Sequence, residues 1–324
     1  MARPLEYNAS VVERIDVNAT LAIFRIALDQ PPGPDWYVPG QYCVLGLNQG
    51  EDSVRRAMTM TSAPQQVGPL EFYIRYVDEP TSALPFTHLL WRCRVGDRLY
   101  LRAHPAGAFT VAATVGADDP RLRLLCADDT GLAPFLSVLR AELARDPEAD
   151  LSRYLLLHGV ARGCDLGFRD ELGRMARVHG LRYLGVVSDA EEGAEASATG
   201  AEAAASEADA RDLVIEPRGL PGVLARERRE AVEARLGLAA GTLSPARAVV
   251  YLCGLKAVIG ACMQALLERG FLPDHGRLRR LLDDAPEASG PSVFFEQYDP
   301  GPVLALRDPA VVAAVRAAWA ARPG

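Results

Sequence analysis

The chain has 324 residues, of which 49% are hydrophobic and 24% charged, with a net charge of −7 at neutral pH. This is the make-up of a folded globular protein long enough for two cores. Its acidic balance excludes nucleic acid and anionic membrane surfaces as expected partners, since both select basic proteins. The opening MARPLEYNASVVERIDV holds no long apolar run, and no stretch reaches the ~18 apolar residues of a membrane span, so a cytoplasmic protein is expected. The six cysteines (43, 93, 126, 164, 253, 262) show no CxxC spacing, which points to reduced thiols and neither a metal site nor a disulfide framework.

Up to about residue 115 the pattern is short alternating segments bounded by turns. Strands are predicted at 19–28, 41–47, 56–62, 70–77 and 97–104, with a helix-like stretch at 87–95. PPGPDW, PGQ and PQQVGP separate them with turn chemistry. Five or six such strands make a small closed antiparallel β-barrel. From 121 the period changes. Apolar strands at 121–127, 154–160, 181–188 and 248–254 alternate with helices, the first at 133–145, which predicts an α/β unit with a parallel sheet. The expected domains are 1–117 and 118–298, with a low-complexity Ala/Glu/Ser insert at 190–211 and an extension at 299–324 that carries an amphipathic stretch, Ala310–Ala320. That stretch packs on the surface or serves as an interface helix; the sequence leaves both open.

Three runs stand in a telling order: Arg56-Ala57-Met58-Thr59-Met60-Thr61-Ser62, then Leu70-Glu71-Phe72-Tyr73-Ile74, then Thr130-Gly131-Leu132-Ala133-Pro134-Phe135. In this order and spacing the chain resembles the ferredoxin–NAD(P)+ reductase family, bacterial type. There an Arg-x-Tyr-Ser/Thr strand of an antiparallel, Greek-key FAD-binding barrel holds the flavin, and a Gly-Thr-Gly-x-Ala-Pro loop opens an α/β NAD(P)-binding domain. Met58 stands where that family has its aromatic, and Asp129 where it has the first glycine. By itself, period two puts Arg56 and Met58 on one face of their strand. A pyrophosphate wants a guanidinium, and a thioether can lie against a ring.

The resemblance implies that Arg56 grips the FAD pyrophosphate, that Met58 lies on the isoalloxazine, and that Thr59 approaches its N5. Ala57, Tyr73, Ile74 and Arg75 then line the flavin. Thr87, last residue of Leu84-Pro85-Phe86-Thr87, would cap a helix and offer its hydroxyl to a phosphate. Gly96-Asp97 and Pro105-Ala106-Gly107-Ala108-Phe109 match later barrel positions. Tyr298, in Phe295-Glu296-Gln297-Tyr298, is implied to cover the other flavin face, with Asp299 in the place of a second aromatic. Phe294-Phe295 also reads as the last core strand.

For the pyridine nucleotide, Cys126-Ala127-Asp128-Asp129-Thr130-Gly131 ends a strand and begins a helix, the crevice position of open parallel sheets. Two carboxylates there repel a phosphate unless they turn outward. Thr130 and Gly131 keep the turn, and Thr130 is implied to reach the flavin too. Cys253-Gly254-Leu255-Lys256 resembles the family's Cys-Gly loop, in which the cysteine faces nicotinamide C4 and the glycine admits the ring. A buried strand-end cysteine is the plain alternative. Thr59, Cys253 and Tyr298 are the implied catalytic residues. Arg162, Ser188, Asp189 and Arg218 fall at nucleotide-binding positions. Asp189 and Leu220 replace family arginines for the 2′-phosphate, so NADH or dual use is expected.

The implied activity is hydride transfer between NAD(P)H and FAD, with single electrons passed to or from a ferredoxin- or flavodoxin-like carrier that meets Arg277, Arg279 and Arg280. Asp283 and Asp284 follow at once, so a solvated helix face is an equal reading of that cluster. A degenerate flavin-binding or interaction scaffold without NAD(P)H activity is the alternative class, for which Met58 and the Asp128–Asp129 pair speak.

Overall fold

The computed structural model describes residues 4–80, 85–189, 212–282 and 290–322. The insert at 190–211, Leu84 and the Asp283–Asp284 pair lie outside them. The chain divides into two units, Met1–Ala117 with Ala133–Ala149, and Asp118–Leu132 with Asp150–Gly324.

The first unit is an antiparallel sheet of β1 (Ala9–Asn18), β2 (Leu21–Leu28), β3 (Tyr42–Gln49), β4 (Asp52–Thr59), β5 (Leu70–Arg75) and β6 (Arg98–Ala106), in the order β4-β3-β6-β1-β2-β5. An isolated bridge, Met60–Phe72, brings the two edge strands together and nearly closes the sheet into a barrel. Alternation sends Phe24, Ile26, Leu45, Phe72, Leu99 and Leu101 into the core. The strand expected at 56–62 starts earlier and ends at Thr59. Thr61 and Ser62 leave it because their hydroxyls bind Glu71: Thr61 donates to its carboxylate at 2.8 Å, and Ser62 accepts its N–H at 2.7 Å. The helix expected at 87–95 is a single short one, α1 (Phe86–Leu90). α2 (Ala133–Arg145) fulfils its expected span and groups by its contacts with this unit.

In the second unit β7 (Leu122–Asp128), β8 (Tyr154–Val160), β9 (Arg182–Val187), β10 (Leu213–Ile215), β11 (Ala248–Gly254) and β12 (Val293–Gln297) form a parallel sheet ordered β10-β9-β8-β7-β11-β12. β8 and β11 are buried along their whole length, as strands covered on both faces must be. Chain order reverses between β7 and β11, which makes the ends of these strands the switch-point crevice. Between and after the strands come α3 (Arg169–His179), α4 (Gly219–Leu224), α5 (Arg229–Arg235), α6 (Lys256–Leu267), α7 (Gly276–Arg279) and α8 (Pro309–Ala320). The tail leads to α8, which starts with Asp308 as its cap and Pro309 in its first turn and buries Val315, Ala318 and Trp319 in the core of this unit.

Within the first unit, Glu71 (5% exposed) takes ion pairs from Arg140 of α2 at 2.6 Å and from Arg25 of β2 at 3.0 Å. Burial works to raise its carboxyl, but the charge and hydrogen bonds of Arg140, with Thr61 and Arg25, outweigh it and hold it below the ordinary carboxylate range. Its stabilisation is therefore present above the unfolded-state pKa and lost as pH falls through the folded one. Arg140→Met should cost about 2 kcal/mol at pH 7 by leaving this buried charge half-paired. In urea melts the deficit should shrink toward pH 3; an equal deficit at both pH values would contradict the assignment.

Candidate active site

The implied site residues assemble as two groups, one in each unit. In the first unit, register places Arg56 opposite Leu45 and Met58 opposite Cys43. Opposed residues share a face, so Arg56 and Met58 look the same way, as expected. Arg56 is exposed, with Nη1 donating to the Arg55 carbonyl at 2.8 Å, whereas Met58 is half-buried against the barrel core. Thr59 is buried and Ala57 exposed. The Met60–Phe72 bridge brings the end of β4 beside β5. Tyr76 N–H donates to Thr20 on the β2 side, and the Glu71 carbonyl accepts from Thr61 on the other. Backbone direction alternates along a strand, so the polar groups of Tyr73 and Arg75 point to the β4 side. The Tyr73 and Ile74 side chains themselves are buried.

Thr87 differs from expectation. Pro85 is the cap residue of α1, without a side-chain hydrogen bond, and Thr87 lies within the first turn. Its hydroxyl accepts the Val77 N–H at 3.3 Å, so it does not cap the helix.

In the second unit the turn after β7 is held from three sides. The Asp128 carboxylate accepts the Leu255 N–H at 3.1 Å, at the start of α6. It thereby lies at a helix N-terminus, where a negative charge is favoured. Asp129 has φ +52°, the left-handed conformation that the family's glycine takes without cost. Its carbonyl accepts from His158 Nε2 at 3.1 Å, which fixes the Nε2–H tautomer of that buried ring. The Thr130 carbonyl accepts from the Tyr298 hydroxyl at 3.3 Å. A Cβ on Gly131 would stand 2.1 Å from the Cys253 carbonyl oxygen, and one on Gly254 (φ +149°) 2.3 Å from Asp128 Cβ. Only glycine permits that approach.

Cys253 is buried beneath the turn, 1% exposed. Burial pushes its thiol well above the ordinary range, the charge of Glu296 adds to this, and a hydrogen bond with Tyr298 opposes it. Tyr298 is exposed, and its N–H donates to the Gly254 carbonyl at 3.0 Å. Asp299 caps α6, accepting the Lys256 N–H at 2.7 Å, and lies 3.5 Å from Lys256 Nζ.

Two residues at this turn had no role in the sequence reading. Glu296 pairs in register with Cys253. Burial raises its carboxyl to about 7, and its Oε2 has no partner among the described residues. Its signal was its place in the run Phe295-Glu296-Gln297-Tyr298, two residues before Tyr298. His158, a polar residue inside the apolar run YLLLHGV, was the other.

The ends of β8 and β9 lie side by side, with Ser188 N–H donating to the Val160 carbonyl at 3.1 Å and Asp189 N–H to the Ala161 carbonyl at 2.9 Å. Arg162 pairs with Asp165 at 3.1 Å, and Arg218 with Glu216 at 3.4 Å and Glu227 at 3.2 Å. Of the implied nucleotide positions, Ser188 and Asp189 thus stand beside the end of β8, and Arg162 and Arg218 are already engaged by carboxylates.

Comparison with known proteins adds the following. Residues 8–111 match the family described as oxidoreductase FAD-binding domain. An aromatic O-demethylase reductase subunit from Amycolatopsis sp. is 28% identical over 185 residues, 57% of this chain and 52% of that protein. A ferredoxin–NADP reductase A from Sorangium cellulosum is 30% identical over 134 residues, 41% of this chain and 44% of that protein. The chain spans about half the length of these relatives. The crystal structure of a ferredoxin NADP+ reductase from Neisseria gonorrhoeae shares the fold at TM-score 0.65, with 20% identity, over 90% of this chain and 98% of that one. The barrel thus matches an oxidoreductase FAD-binding domain in sequence, and the whole chain shares the two-unit fold of a ferredoxin NADP+ reductase.

Proposed function

We propose that the protein is an FAD-dependent oxidoreductase that draws reducing equivalents from NADH or NADPH and hands single electrons to a small acidic carrier of ferredoxin or flavodoxin type. The observation that carries this reading is the seam between β4 and β5. There β4 offers an exposed guanidinium (Arg56), a thioether (Met58) and a hydroxyl (Thr59), and the Met60–Phe72 bridge brings its end beside β5, whose Tyr73 and Arg75 main-chain groups turn to that side. A flavin dinucleotide needs a positive charge for its pyrophosphate, apolar contact for its ring and polar contact along one edge, so the residues fit it. Bound FAD supplies the exchange of a hydride for single electrons; the chain supplies binding, orientation and proton control.

In the second unit, Gly131 and Gly254 keep the crevice shallow enough for a flat ring, and Tyr298 offers an exposed aromatic face. Glu296 holds a proton on its carboxyl near neutral pH, beside a thiol that burial keeps protonated. Arg277 and Arg280 are exposed at α7, and His275 Nδ1 caps that turn by accepting the Leu278 N–H. With Arg279 they give an acidic carrier a basic contact. Two relatives named as a reductase subunit and as a ferredoxin–NADP reductase support a carrier of that kind. The free cysteines among the described residues fit a reducing, cytoplasmic setting. The rival reading, a flavin-holding scaffold without nucleotide chemistry, is favoured by Asp128 and Asp129 standing in the crevice turn.

Arg56→Ala should remove a charge-assisted contact worth about 1.5–3 kcal/mol and purify depleted of FAD. Full flavin occupancy in the variant rules this role out.

Glu296 yields a prediction of opposite sign to that for Glu71. A carboxyl raised in the folded state destabilises the protein progressively as pH rises from the unfolded-state pKa near 4.5 to about 7. Glu296→Gln cannot ionise, so at pH 8 it should exceed the wild type by about 3 kcal/mol and match it near pH 4. A variant no more stable than wild type at pH 8 would mean that Glu296 ionises freely in the folded protein.

A further inference from the structure

Glu216 follows β10 and is 4% exposed. It is tied to the neighbouring strand end by its N–H, which donates to the Val187 carbonyl at 2.9 Å, one residue before Ser188. Its carboxylate gathers two guanidiniums: Arg228 Nη2 donates at 2.8 Å, and Arg218 Nε lies at 3.4 Å. The Arg218 N–H also points to it at 3.4 Å. Arg218 is held on its far side by Glu227 at 3.2 Å, and Arg162 by Asp165 at 3.1 Å. A Cβ on Gly222 would stand 2.5 Å from Glu216 Oε1, so the carboxylate is wedged in place. The guanidiniums of Arg162, Arg218 and Arg228 are thus each engaged by a carboxylate of Asp165, Glu216 or Glu227.

Resting on the nucleotide reading above, we propose that Glu216 is a specificity-determining residue: a fixed internal carboxylate that holds Arg218 and Arg228 and so turns the site away from a 2′-phosphate toward an unphosphorylated ribose. A phosphate monoester carries a charge of about −1.5 to −2 and needs guanidiniums free to meet it. Recruiting Arg228 or Arg218 would strip a buried carboxylate of its partners, which is costly for the same reason that breaking any buried pair is. A ribose 2′-hydroxyl asks only for an acceptor, and exposed Asp189 is one. Burial works to raise the Glu216 carboxyl, yet the hydrogen bonds from Arg228 and Arg218 hold it below the ordinary range, consistent with a charge kept at neutral pH. Arg218 falls at a nucleotide-binding position that the resemblance implies. Arg228 and Glu216 enter only through the fold.

The test is calorimetric titration of the full chain with 2′-phospho-AMP and with 5′-AMP. The wild type should bind 2′-phospho-AMP no tighter than 5′-AMP. Glu216→Gln, which keeps the wedge, should raise the ratio of the two affinities in favour of 2′-phospho-AMP at least about tenfold, a change near 1.4 kcal/mol. Adding Arg228→Leu should return the ratio close to its starting value. A wild type that already prefers 2′-phospho-AMP tenfold overturns the proposal, whatever the variant does. So does a ratio that Glu216→Gln leaves unchanged while 5′-AMP still binds. Failure of the wild type to bind either ligand overturns the nucleotide reading along with it.

Discussion

The second unit depends on one close approach. The turn at the sheet's switch point lies against the end of β11 at a distance only glycine allows: Gly131 beneath the Cys253 carbonyl, Gly254 against Asp128. Everything else in the crevice follows from that contact. It brings the Thr130 carbonyl within reach of Tyr298, lets Asp128 cap α6 and places Cys253 under the turn. His158 closes the arrangement from β8 by holding the Asp129 carbonyl in its left-handed conformation. Contacts from β8, β11, the start of α6 and Tyr298 thus fix the four consecutive residues Asp128, Asp129, Thr130 and Gly131, and the crevice is preorganised by main-chain geometry more than by side-chain packing.

Burial acts alike on Glu71 and Glu296, yet their outcomes are opposite. Each loses hydration, which favours the neutral acid. Glu71 has Arg140, Arg25 and Thr61 around it and stays ionised as a brace between β5 and α2. Glu296 has no such partner among the described residues, and its carboxyl rises to about 7. Partners, not depth, separate a structural carboxylate from one able to carry a proton. Glu216 sits with Glu71 in this scheme, and its partners are the arginines a phosphate would need.

Much of the fold was legible because the parallel strands are near-continuous apolar runs. β8 and β11 begin and end where their apolar runs do, and β7 and β9 within a residue. The barrel was harder. β1 carries Glu13, Arg14 and Asp16 and has register shifts after Val11 and Asp16, so its alternation is broken. β4 begins at polar Asp52 because it is an edge strand, and its polar positions need not be buried. Cys253, Thr130 and Tyr298 could be picked out because their neighbours form a recognisable run. Glu296, His158 and Glu216 could not, because their significance lies in burial and in partners on other elements. Thr87 was misassigned as a cap because residue type alone does not tell the first helical turn from the residue before it.

The central claim is that a flavin held at the barrel seam is reduced by a nicotinamide nucleotide. Anaerobic mixing of the flavin-loaded protein with NADH, followed through the flavin's visible absorption band, tests it most directly. The account predicts that the band bleaches, with NADH at least as effective as NADPH. A band that persists with both nucleotides would contradict it.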